Sequence, residues 1–161
     1  LERQLQQAGH NYRVINGGIS GETSSAALNR LDWMLQTAPD IVIVETGGND
    51  ALRGIDLALT EQNIEEIVTR FEENDVIVVF AGLQIIQNLG DDYTNQFAEM
   101  YPRIAANHPD AIFIPFFLEG VAADPDLNQA DFIHPTAEGY TVIVDHIFPF
   151  VEEAIERHQS P

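Results

Sequence analysis

The chain has 161 residues, 45% of them hydrophobic, which suits one domain built around a single core. Its formal net charge is −19 and its seven cationic side chains are all arginine, a balance that repels nucleic acid and anionic membrane surfaces. It has no cysteine, which rules out disulfides and thiolate metal sites.

"LERQLQQAG" reads as a helix stopped by Gly9, and "YRVING" (12–17) as a short strand. "TSSAALNRLDWMLQTAP" opens on capping residues and carries Ala27, Leu28, Leu31, Met34 and Leu35 at helical spacing. "DIVIVETGGND" is a continuous apolar strand that breaks into a glycine loop. Thr60 then caps "EQNIEEIVTRFEEN", whose Ile64, Ile67, Val68 and Phe71 share one face. The strand "DVIVVFAG" leads to a polar loop with Gly90 and Asp91. "YTNQFAEMYPRIAANHP" is helical, with Pro102 expected to kink it or to mark a new start. "AIFIPFF" is the last strand, and Pro135 fits the first turn of a closing helix that runs to about Arg157.

Strands apolar throughout and separated by helices predict a parallel sheet covered on both faces. Right-handed crossovers make this a three-layer α/β/α, doubly wound domain occupying residues 1–161. Sites in such sheets form at the carboxyl ends of strands. Three polar stretches fall there: "GGISGETSS", "TGGNDALRG" and "DFIHPT". In the last, Asp131 stands three residues before His134, the pattern of a general base with its own orienting carboxylate. The competing reading makes Asp131 a helix cap and His134 an ordinary first-turn residue.

Together these stretches resemble the SGNH (GDSL-type) hydrolases, in particular the bacterial thioesterase/lysophospholipase/arylesterase group. "NGGISGETS" is similar to the family's second block, "GGND" to its third and "DFIHP" to its fifth, and the likeness extends over essentially the whole chain. The resemblance implies a flavodoxin-like sheet and a serine esterase that works without a cofactor. Its base would be His134, oriented by Asp131. Its oxyanion donors would be the side-chain amide of Asn49 and the backbone N–H of Gly21. Those groups suit the task, because a developing alkoxide needs fixed donors that do not themselves become charged.

The family's first block, a strand ending in Gly-Asp-Ser-Leu, has no counterpart here, and it is the block that carries the nucleophile. The chain also opens on Leu1 rather than methionine. We therefore expect the serine upstream of Leu1, on a strand inside the sheet. Losing such a strand costs several apolar side chains at roughly 1.5–3 kcal/mol each, on the order of 10 kcal/mol in all. Of the serines within the chain, Ser24 and Ser25 suit helix capping and Ser160 is terminal, which leaves Ser20 as the internal contender. Asp50 is expected to pair with Arg53 or with a loop N–H.

Specificity is expected from loops over the site. The resemblance implies that Ala51 to Asp56, including Leu52, moves on acyl binding. Leu83, Ile85 and Ile133 supply apolar wall, which favours a small-molecule acyl or aryl ester. The scattered histidines lack metal-ligand spacing, so no metal is expected. No apolar run is long enough to span a membrane. Export to the periplasm or beyond is implied by the resemblance alone. Acid without lysine also suits a salty habitat, where stability should rise with molar salt. Two rival functions stay open: an inactive acyl-binding or assembly domain, and a carbohydrate O-acetylesterase.

Overall fold

The computed structural model describes residues 1–84 and 90–160. In chain order the elements are α1 (Glu2–Gln7), α2 (Ser24–Asn29), α3 (Leu31–Leu35), β1 (Ile41–Val44), α4 (Gly48–Leu52), α5 (Leu57–Glu72), β2 (Ile77–Ala81), α6 (Asp91–Asn107), β3 (Ile112–Ile114) and α7 (Ala137–Gln159). The three strands are parallel in the order β1-β2-β3, with Ile41 opposite Ile77 and Val79 opposite Ile112.

Strand alternation divides the core in two. Val44, Val78 and Phe80 point to one face and pack with Ile64, Ile67, Val68 and Phe71 of α5 and with Phe97, Met100, Tyr101 and Ile104 of α6. Val79, Ala81, Ile112 and Ile114 point to the other face, against Leu5 of α1 and Ile143, Ile147 and Val151 of α7. The result is the expected three-layer α/β/α arrangement.

Several local expectations are corrected. The 12–17 segment forms no strand: its backbone makes no ladder, and Val14 and Ile15 are exposed. The helix read over 23–39 breaks at Arg30, whose guanidinium turns back to Glu22 and the Gly17 carbonyl. The glycine loop after β1 contains a short helix, α4. Asp56, not Thr60, caps α5. Pro102 lies inside a continuous α6 rather than at a new start. Pro135 sits before α7, bridged to Asn128, and Thr136 is the cap.

Away from the strand ends, His108 ties α6 to α5. Its Nδ1 is 2.7 Å from Glu72 Oε2 and its Nε2 is 2.8 Å from Glu65 Oε2. Burial lowers the imidazole pKa, but hydrogen bonds donated to Glu72 and Glu65 outweigh it and the net shift is upward. A raised folded-state pKa contributes stability that is complete below the unfolded value near 6.5 and is lost as pH rises through the folded value. His108→Gln should therefore cost about 2 kcal/mol near pH 6, with the deficit shrinking at alkaline pH. Urea unfolding of both proteins across that range checks it; a deficit independent of pH contradicts it.

Candidate active site

The loop before α7 is built to present His134. Asn128 Nδ2 donates to the carbonyls of Val121 and Asp124, the Thr136 N–H donates to Leu127 O, and the Gln129 N–H donates to His134 O. Gly139 lets α7 close on this loop, because a Cβ there would lie 2.2 Å from Leu127 O. Within the loop, Asp131 Oδ1 accepts the backbone N–H groups of Ile133 and His134, each at 3.0 Å. Its Oδ2 lies 2.7 Å from His134 Nδ1.

The N–H of His134, then that of Ile133, then the imidazole hold the Asp131 carboxyl down at about 2. A carboxylate at Nδ1 fixes the tautomer with Nε2 as the acceptor. Among the described residues Asp131 is the only side chain bonded to the His134 imidazole. Asp131 thus braces its own loop and partners the imidazole, whereas the competing reading fails on both counts: Thr136 caps α7, and His134 lies before its first turn.

His134 and Asp131 line a cavity of about 1240 Å³. Asn49, Ala51, Leu52, Leu83 and Ile133 line it too. Leu52 and Ile133 are exposed on its rim with Phe132, whereas Ala51 and Leu83 are buried and form its floor. Ile85 lies outside the described residues. Gly21, at φ +76°, is not on the cavity wall but is tied to its edge, where Arg53 Nη2 donates to Gly21 O at 2.7 Å. Arg53 therefore does not pair with Asp50. The loop N–H expected for Asp50 is that of Ser24, at 2.8 Å.

The same cavity runs along β1. Ile41 to Glu45 form one wall and Asn11 to Ile15 contribute the other. Among the described residues β1 pairs only with β2, and Ile41, Val42 and Ile43 are only half-buried, unusual for an apolar strand covered on both faces. This slot explains why 12–17 makes no ladder, since its inner edge faces the cavity rather than a strand.

None of the internal serines is hydrogen-bonded to the imidazole. Ser24 is fully buried and donates to Asp50, Ser25 accepts from Asn63, and Ser160 donates to Glu156 O. Ser20 is exposed and is not among the cavity-lining residues. Two further groups at the site were not singled out from the sequence. Tyr140 is exposed on the rim, and Glu45 is exposed on the cavity wall at the end of β1. A lone acid ending the run "IVIVE" was the available signal for Glu45.

The sequence pattern of the GDSL-like lipase/acylhydrolase family matches residues 1–142. Esterase TesA of Pseudomonas aeruginosa is 36% identical over 150 residues, covering 92% of this chain and 74% of that protein. An arylesterase of Vibrio mimicus is 33% identical over 159 residues, covering 98% of this chain and 77% of its own. The crystal structure of the psychrotrophic esterase EstA from Pseudoalteromonas sp., inhibited by monoethylphosphonate, superposes with a TM-score of 0.89 at 27% identity, covering 96% of this chain and 85% of EstA. The chain belongs to the GDSL-like lipase/acylhydrolase family.

Proposed function

We propose that the protein is a serine ester hydrolase that cleaves small acyl or aryl esters, or thioesters, through an acyl-enzyme. The observation that carries this reading is the Asp131–His134 pair, 2.7 Å apart, on the wall of a cavity that also takes in Asn49. His134 Nε2 removes the proton from a serine hydroxyl as it attacks the ester carbonyl, and returns it to the leaving oxygen or sulfur. Asp131 holds the imidazole and stabilises the imidazolium. The Asn49 amide and the Gly21 N–H receive the oxyanion. Water, activated by the same imidazole, then releases the acid.

The nucleophile in this account is carried on a strand upstream of Leu1 that enters the slot beside β1. Two observations support it: the open edge of β1, and the lack, among the described residues, of an internal serine bonded to His134. A strand there would bring its carboxyl end to the edge of the sheet that holds Asn49 and His134.

The apolar rim of Leu52, Phe132 and Ile133 favours an acyl chain over a sugar. Turnover of p-nitrophenyl esters of increasing chain length, set against release of acetate from acetylated xylan, tests the substrate class. Ile133→Asp should depress long-chain esters about tenfold more than acetate. Equal losses at every chain length, or faster turnover of xylan, would count against it.

A further inference from the structure

We propose that Asp50 is a positioning residue that sets the spacing between the two oxyanion loops. This rests on the reading of Gly21 and Asn49 given above. Asp50 directly follows Asn49 in α4 and is completely buried. Its carboxyl group reaches across 26 residues of sequence to the loop that follows Gly21. Oδ2 accepts the Ser24 N–H at 2.8 Å, and Oδ1 accepts the Ser24 hydroxyl at 2.6 Å. Ser24 is itself completely buried, and its Oγ accepts from Asn63 Nδ2 at 3.0 Å. Thr60 adds a longer contact of 3.3 Å to Oδ1 from α5.

A second tie lies one turn further along. Arg53, following α4, donates to Gly21 O at 2.7 Å. The segment that carries the Asn49 amide therefore grips the Gly21 segment at two points, one buried and one exposed. Among the described residues every partner of the Asp50 carboxyl is a neutral donor, and none belongs to His134 or to the rim. The buried contacts thus constrain the relative placement of two loops rather than any acid–base step.

Oxyanion stabilisation is sensitive to such placement, because donors must already sit where the charge develops. Loosening the clamp should leave substrate binding almost intact and slow the chemical step. The experiment compares the full-length wild type with Asp50→Ala, Asp50→Asn and Ser24→Ala. Asp50→Ala should lower kcat about a hundredfold with KM little changed. Asp50→Asn keeps one oxygen for the Ser24 N–H and should recover most of the loss. Ser24→Ala keeps the N–H contact and should fall between them, and it serves if Asp50→Ala does not fold. Ile104→Ala, a truncation in the α6 core, is the reference: it should lose stability and keep kcat.

Amide hydrogen exchange reads the clamp without any substrate. The Ser24 N–H should lose protection in Asp50→Ala and not in Ile104→Ala. Unchanged kcat together with unchanged Ser24 protection overturns the proposal, as does a loss of kcat no greater than that of the Ile104→Ala reference. A wild type that turns over no ester while Ser24 protection still depends on Asp50 overturns the hydrolase reading instead, and with it the catalytic meaning of the clamp.

Discussion

Replacing His134 by alanine in the full-length protein should lower ester turnover by at least about 10⁴-fold with almost no loss of stability. The first half follows from chemistry: the imidazole is the group that takes the serine proton and returns it to the leaving group. The second follows from exposure, since the His134 side chain is 61% accessible and contributes little packing. Asp131→Asn should cost on the order of 10⁴-fold as well, because an amide can hold the wrong tautomer. A carboxyl that titrates at about 2 stays charged throughout the ordinary working range, so Asp131 should contribute nothing to an acid limb of the pH–rate profile. Steady-state kinetics and thermal unfolding of the two variants check both halves. Retention of more than a tenth of the wild-type rate in His134→Ala would remove the base from this account.

The second large effect concerns the slot. A protein that carries the upstream strand should be more stable than one that starts at Leu1 by an amount on the order of 10 kcal/mol, comparable to the whole stability of a domain. The affected side chains are on both walls: Ile41, Val42 and Ile43 from β1, and Val14 and Ile15 from the opposite segment. Guanidinium unfolding of the two proteins measures the difference, and binding of a hydrophobic dye should fall when the slot is filled. Equal midpoints and equal dye binding would mean that nothing of that kind enters the sheet.

Legibility from the sequence followed the range of the contacts. β2 and the buried face of α5 were readable because apolar pattern is a local property of "DVIVVFAG" and "EQNIEEIVTRFEEN". Asp131 and His134 were readable for the same reason, since a separation of three residues brings them into contact within one loop. The 12–17 strand was over-read, because strand propensity is not enough without a partner for its ladder. The break at Arg30 depends on Glu22 and Gly17, and the Asp50–Ser24 clamp joins a residue after β1 to one well before it. Short-range pattern carries no trace of such pairs, so α4 looked like a bare loop and the choice between Arg53 and a backbone N–H for Asp50 stayed open.

The central claim is that a serine upstream of Leu1 is activated by His134, and the most direct test is covalent labelling. Fluorophosphonate treatment of folded, full-length protein, followed by peptide mapping, should place the adduct on a serine that precedes Leu1, and His134→Ala should abolish it. An adduct on Ser20 would contradict the assignment of the nucleophile, and no adduct on the folded wild type would contradict the hydrolase itself.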